Sequence, residues 1–181
     1  MWAKHKQQKG FTIVELLIVV VVIGILAAIV TVAYTGITQK AYNTKVVAGA
    51  NAYLKAFSLY KAAYGSYPPG PASCLGANYP NNACWAANAN GTSSSLTVNA
   101  TLDNSLSEFM STKPDVGTEL INIVIVNQFR AGAFYYATGS AYATSAPLIG
   151  YYLKGNGADC SMNVSQQNNE GPWTQCLIAL P

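Results

Sequence analysis

The sequence has little charge. Asp, Glu, Lys and Arg make up 9% of its 181 residues, against about 25% in an average soluble domain. Three of the ten basic side chains, Lys4, Lys6 and Lys9, precede Gly10, so the remaining seven balance the seven acidic side chains. This balance, with no local cluster of basic residues, argues against a nucleic-acid-binding surface. We expect a polar but nearly uncharged surface.

Groups that catalyse reactions are also scarce. The single histidine is His5, and no glycine-rich phosphate loop follows a strand-like segment. The seven carboxylates include no close pair in an acid/base setting. The sequence therefore predicts a protein that is not an enzyme, with no catalytic residues, no cofactor and no bound metal.

Calcium is the one metal for which the C-terminal region offers a candidate set of oxygen ligands. The spacing of these residues fits no EF-hand, which favours a solvated turn over a calcium site. The residues concerned are Asn156, Asp159, Asn163, Asn169 and Glu170.

Proline is absent before Pro68, and an apolar run fills residues 11–30. Twenty helical residues span about 30 Å, the thickness of a bilayer core. The lysines before the run and the lack of charge between its end and Lys40 orient the N-terminus toward the cytoplasm by the positive-inside rule. We expect one membrane crossing, with the bulk of the chain exported.

The helical pattern continues beyond the apolar run. Apolar and aromatic residues recur at spacings of three and four, which is typical of an amphipathic helix. They are Val46, Ala50, Tyr53, Phe57, Tyr60 and Tyr64. The sequence thus predicts one helix over residues 11–63, apolar on all sides in its first half and amphipathic in its second.

The rest of the chain indicates loops and strands. Segments rich in Gly, Pro, Asn and Ser follow the helix, and Ser105–Glu108 fits a capping box for a short helix that stops before Pro114. Strand-like runs then occupy residues 120–126, with Ile121, Ile123 and Ile125 on one face, and residues 133–138, 148–154 and 174–180. A long helix followed by consecutive strands predicts an α+β fold with an antiparallel sheet packed on the helix.

Four cysteines occur, at positions 74, 84, 160 and 176. No C-x-x-C pair is present, which argues against zinc. An even number of cysteines beyond a membrane-length segment indicates disulfides in an exported domain. Four cysteines allow three pairings, and we favour Cys74 with Cys84 and Cys160 with Cys176, because each pair closes a short loop.

Glu15 interrupts the apolar run and requires an explanation. On insertion scales an Asp at mid-helix costs about 2.5 to 3.5 kcal/mol, and less toward a helix end. A carboxylate at this position therefore needs a compensating partner.

A basic leader that ends at Gly10, followed by Phe11, Thr12 and Glu15, resembles the N-terminus of type IV pilins and of the pseudopilins of type II secretion. The resemblance implies that a membrane-embedded prepilin peptidase cuts between Gly10 and Phe11 and methylates the new amino terminus. One departure from the pattern is Val32, where many relatives have proline.

The resemblance divides the chain into a leader at residues 1–10, a transmembrane and filament-core half-helix at 11–33, and a disulfide-closed globular head at 34–181. In this family the carboxylate that corresponds to Glu15 pairs with the terminal amine of an adjacent subunit. An opposite charge in low dielectric strongly favours the ionised carboxylate. Glu15 is thus the predicted assembly residue of a helical homo-oligomer.

The same resemblance implies a single-pass precursor in the inner or cytoplasmic membrane, and then an extracellular pilus for adhesion, twitching motility or DNA uptake. Nucleic acid would be a partner only indirectly. A type II secretion pseudopilin is the first alternative, and a secreted or membrane-anchored binding domain is the second. An ordinary signal peptide cleaved after residues 31–33 is the rival interpretation of the N-terminus. The two cysteine-closed loops and the Ser-, Thr- and Asn-rich surface favour the exposed fibre.

Overall fold

The fold is taken from a computed structural model that describes residues 10–123, 127–140, 143 and 145–181. The predicted leader (apart from Gly10) and the end of the predicted strand at 120–126, including Ile125, lie outside these residues. Two helices and nine strands are present in the described part. They are α1 (Ile13–Tyr64), α2 (Ala100–Leu106), β1 (Ser73–Leu75), β2 (Ala83–Ala86), β3 (Ser94–Thr97), β4 (Ile121–Ile123), β5 (Gln128–Arg130), β6 (Ala133–Tyr136), β7 (Leu148–Lys154), β8 (Gln166–Glu170) and β9 (Trp173–Ala179).

The chain forms two compact units that divide between Thr38 and Gln39. In its described part, the first unit consists of the N-terminal part of α1 and the residues just before it. The predicted single long helix is confirmed, and its backbone continues without interruption through Val32.

The second unit contains two antiparallel sheets, where the sequence predicted one. A five-stranded sheet has the order β1-β6-β7-β9-β8, and a four-stranded sheet has the order β3-β2-β5-β4. Strands β1, β2, β3 and β5 are only three or four residues long. Such short pairings leave little periodic pattern in a sequence. The α+β class with antiparallel pairing is confirmed.

The second half of α1 supplies one wall of the core. Val46, Ala50, Tyr53 and Phe57 are buried, as the helical spacing predicts. Phe57 stacks on Tyr135 of β6 with ring centroids 4.5 Å apart. The prediction fails at the end of the face, because Tyr64 is exposed.

Hydrogen bonds join α1 to the end of β7. The Asn43 side chain donates to the carbonyl oxygen of Lys154 at 2.8 Å and accepts from the Lys154 amide at 2.8 Å. On the same sheet the Tyr135 hydroxyl donates to the Pro68 carbonyl at 3.0 Å, and burial raises the pKa of Tyr135 to about 12. These polar groups are therefore satisfied within the fold.

The short helix differs from its prediction. Helix α2 begins at Ala100, five residues before the expected box, and Ser105 lies in its last turn. The cap is Asn99, whose side-chain oxygen accepts from the amides of Thr101 and Leu102. The buried residues Leu102 and Leu106 lie one turn apart and fix this helix on the core.

Both disulfides of the favoured pairing are present in the structure. Cys74 is bonded to Cys84 and Cys160 to Cys176, with sequence separations of 10 and 16. All four residues are buried. Cys176 lies in the long strand β9, so the second disulfide ties the loop before β8 to the five-stranded sheet.

We predict that Cys176→Ser lowers the stability of the second unit by about 2 to 4 kcal/mol, because loss of a short cross-link restores entropy to the unfolded chain. The measurement is urea unfolding of the purified full chain. A thiol titration of the variant should find one reactive group after unfolding, that of Cys160. A peptide map of the unreduced wild type that linked Cys84 to Cys160 would contradict the pairing.

Candidate processing and assembly site

The first residues of α1 form a capping box. Glu15 Oε2 accepts hydrogen bonds from the Thr12 amide and the Thr12 hydroxyl, both at 2.8 Å. In return the Glu15 amide donates to Thr12 Oγ1 at 3.2 Å. Two backbone N–H groups that would otherwise lack partners at the helix start are thereby satisfied. The Glu15 carboxylate also lies in the first turn, where the helix dipole stabilises negative charge.

Gly10 and Phe11 lie immediately before this capped start. Phe11 is 84% exposed, and a Cβ added at Gly10 would meet nothing within 4 Å. The peptide bond between them is therefore open to a protease that requires a small residue on its N-terminal side. Cleavage there would leave the Thr12–Glu15 capping box intact and place a new amino group four residues before Glu15.

The apolar segment after Phe11 has no cover within the chain. The large apolar side chains of residues 11–30 are all exposed. By length and composition, α1 is one helix able to cross a membrane. A continuous apolar surface of this size requires lipid or other apolar helices around it.

Glu15 has no oppositely charged partner among the described residues, whose ion pairs all lie in the second unit. Thr12 supplies its hydrogen bonds, but these do not neutralise its charge. An amine from outside the described chain would therefore find an uncompensated carboxylate.

The predicted site residues thus fall into two groups. The structure brings Gly10, Phe11 and Glu15 together at the start of α1, and it places the four cysteines in the second unit. The contribution of Thr12 as helix cap was missed from the sequence. The pattern Thr-x-x-Glu just before an apolar run was the available signal.

Two of the candidate calcium ligands accept hydrogen bonds from backbone amides. Asp159 Oδ1 accepts from the Ser161 amide at 2.9 Å, and Asn169 Oδ1 accepts from the Gly157 amide at 3.0 Å. Among the residues the structure describes, no group of three His, Cys, Asp or Glu side chains could hold a metal ion. Asp159 thus stabilises its own turn, and Asn169 of β8 holds the loop at Gly157.

Comparisons with known proteins agree with the N-terminal motif. The family model of the prokaryotic N-terminal methylation motif matches residues 5–31. Type II secretion system core protein G of Klebsiella michiganensis is 37% identical over 65 residues, which cover 36% of this chain and 46% of that protein.

Two further relatives are pilus proteins. A type IV major pilin protein of Neisseria gonorrhoeae is 35% identical over 75 residues, 41% of this chain and 46% of that protein. Fimbrial protein Q of Moraxella bovis is 55% identical over 40 residues, 22% of this chain and 26% of that protein. The matches span less than half the length of each of these relatives. No solved structure matches the chain significantly.

The relatives' printed names are those of pilus, fimbrial and type II secretion proteins, and their matches cover 22% to 41% of this chain. The long N-terminal helix and the antiparallel sheets form the α+β arrangement that the resemblance predicts. The chain thus carries the prokaryotic N-terminal methylation motif and, over part of its length, resembles type IV pilins, a fimbrial protein and a type II secretion core protein.

Proposed function

We propose that this chain is the structural subunit of a type IV pilus, cut after Gly10 and polymerised into a surface filament. The observation that carries the proposal is the register of Gly10, Phe11 and Glu15 at the capped start of an exposed apolar helix. Prepilin peptidase and the pilus assembly machinery are its processing and assembly partners. The filament would function in adhesion, twitching motility or DNA uptake.

Glu15 has a different partner at each stage of this proposal. In the membrane the Thr12 amide and hydroxyl both donate to Glu15 Oε2 and lower the cost of burying the carboxylate. In the filament the terminal amine of a neighbouring subunit supplies the opposite charge. Since the ammonium brings the full opposite charge that the Thr12 donors lack, its attraction to the carboxylate in low dielectric draws the incoming subunit into register.

Processing is the first step that can be tested. We predict that protein produced with its prepilin peptidase begins at Phe11 and carries one methyl group on its terminal nitrogen, because Gly10 supplies the small exposed residue before the cleavage site. Intact-mass analysis of purified protein decides this. A peptidase-deficient strain should yield the uncut chain. A mass that matched a start at Tyr34 would instead favour an ordinary signal peptide.

A pseudopilin of type II secretion is the second candidate, favoured by the similarity to core protein G over 65 residues. That similarity and the similarity to the major pilin cover comparable shares of this chain, 36% and 41%. The two buried disulfides and the uncharged polar surface support the exposed fibre, since covalent cross-links protect a fold outside the cell.

A further inference from the structure

The second unit contains a cavity of about 380 Å³ that is lined by residues of both sheets. Volumes of about 300 to 1,000 Å³ are usual for small-molecule sites. None of the residues assigned to processing or assembly lines it. The cavity therefore needs an explanation of its own.

One half of the cavity wall is apolar and aromatic. Phe134 and Tyr136 of β6 lie with ring centroids 5.5 Å apart, and Trp85 of β2 meets the Phe134 ring edge-on at 5.1 Å. Leu148 and Leu177 complete this half. The exposed parts of these side chains give the cavity an apolar wall.

The other half of the wall is a row of polar side chains. Alternate residues of the edge strand β8, Gln166, Asn168 and Glu170, share one face and point to the cavity. Their amides form a chain: Gln166 donates to Asn168 Oδ1 at 3.0 Å, and Asn168 donates to Gln175 Oε1 at 2.9 Å. Each amide has further donor and acceptor capacity for a ligand.

Arg130 adds a buried cation to this polar half. It is 8% exposed, and its guanidinium lies over the Trp85 ring at 4.3 Å. Nη1 donates to the Tyr152 hydroxyl at 2.8 Å, and Nη2 donates to Gln128 Oε1 at 3.1 Å. These contacts hold the guanidinium of Arg130 at the cavity wall.

The cavity wall contains one positive and one negative side chain, Arg130 and Glu170. Both carboxylate oxygens of Glu170 lie 3.5 Å from Arg130 Nη1, at the long limit of a hydrogen bond. The Glu170 carboxylate would repel an anionic ligand, and the Arg130 guanidinium would repel a cationic ligand. A wholly apolar ligand would leave the remaining donors and acceptors of the amides without partners.

We propose that this cavity binds one neutral sugar unit, a pyranose such as a hexose or an N-acetylhexosamine. A pyranose has an apolar C–H face for the apolar half of the wall. Its rim of hydroxyl groups, each a donor and an acceptor, fits the side-chain amides of Gln166 and Asn168 on β8. The site goes beyond the proposed function and does not depend on polymerisation, so its test uses unassembled protein.

The test is saturation-transfer NMR on the full chain solubilised in a detergent without a sugar headgroup. The probes are glucose, galactose, mannose, N-acetylglucosamine and N-acetylgalactosamine, with glucuronate and N-acetylneuraminate as anionic comparators. We expect saturable binding of at least one neutral probe. The anionic comparators should bind more weakly than that probe.

Variants on β8 connect the binding to this cavity. Gln166→Ala and Asn168→Ala should each lower the affinity for the bound probe by about two- to tenfold, the effect of losing one or two hydrogen bonds. Gln166 is exposed, so its variant keeps the fold. Gln167→Ala is the matched control, because Gln167 lies on the opposite face of β8 and donates to the Ala158 carbonyl. It should bind like wild type.

Three results would overturn the proposal. The first is no binding of any neutral probe up to about 50 mM, where even millimolar affinity is saturated. The second is tighter binding of an anionic comparator than of every neutral probe. The third is equal binding by wild type, Gln166→Ala and Asn168→Ala.

Discussion

Glu15→Val, as the sole copy in the cell, should reduce the filament yield by at least about tenfold. The variant protein should still insert into the membrane and be cleaved before Phe11. The segment becomes more apolar, so insertion should survive. Loss of the carboxylate removes the partner of a neighbouring subunit's amine. A factor of ten requires only about 1.4 kcal/mol, which is modest for a desolvated ion pair. Electron microscopy of sheared fractions measures the yield.

Because Glu15 also caps α1, a second variant separates its two roles. Gln serves in a capping box as Glu does, so Glu15→Gln keeps a hydrogen bond to Thr12 while it removes the charge. We expect Glu15→Gln to fail in assembly like Glu15→Val. The matched control is Leu16→Val, a neighbouring exposed apolar residue whose change should leave the yield unaltered. Normal filaments from Glu15→Gln would mean that capping, and not charge, is the role of Glu15.

Phe57→Ala should destabilise the second unit by about 3 to 5 kcal/mol, the usual cost of removing a buried Phe side chain and leaving a cavity. Phe57 is 0% exposed and stacks on Tyr135, so it joins α1 to the five-stranded sheet. Urea unfolding of the detergent-solubilised full chain, followed by near-ultraviolet circular dichroism, measures the loss. A domain of this size has a total stability of about 5 to 15 kcal/mol, so the expected change is a large fraction of it.

The control for this prediction lies two residues away on the same helix. Leu59 is 43% exposed, and Leu59→Ala should change the stability by less than about 0.5 kcal/mol, as surface substitutions usually do. Equal losses of stability in Phe57→Ala and Leu59→Ala would show that the buried face of α1 is not the one the structure gives.

The elements that the sequence predicted well are those with strong local patterns. Helix α1 combines an apolar run with a 3.6-residue periodicity and lacks proline, and the structure places it at Ile13–Tyr64. Strand β7 matches its predicted range because aromatic and branched residues fill it between turn residues. Local preference and tertiary packing agree in both cases.

Strand β8 shows why other elements were missed. Its residues, Gln166–Glu170, are polar and have low strand propensity. They form a strand because each pairs with a residue of β9 across the two-residue turn at Gly171 and Pro172. Gly171 has φ 69°, a conformation that glycine adopts without strain. A two-residue turn with glycine beside a clear strand was the available signal.

The capping boxes illustrate the same limit. The pattern at Ser105–Glu108 matched the rule but is not where a helix starts, because the buried pair Leu102 and Leu106 fixes α2 earlier. The same pattern at Thr12–Glu15 does cap a helix. A local motif decides a helix start only where packing agrees with it. The cavity was beyond sequence analysis altogether, since its lining comes from six strands distant in the chain.

The central claim is that this chain polymerises into a surface filament, and analysis of sheared filaments tests it most directly. Filaments sheared from intact wild-type cells should contain this polypeptide as a component that begins at methylated Phe11. Cells that lack the gene should lose these filaments but continue to export other proteins. Absence of the polypeptide from the sheared fraction, together with failure of protein secretion on deletion, would contradict the pilus assignment and favour a pseudopilin.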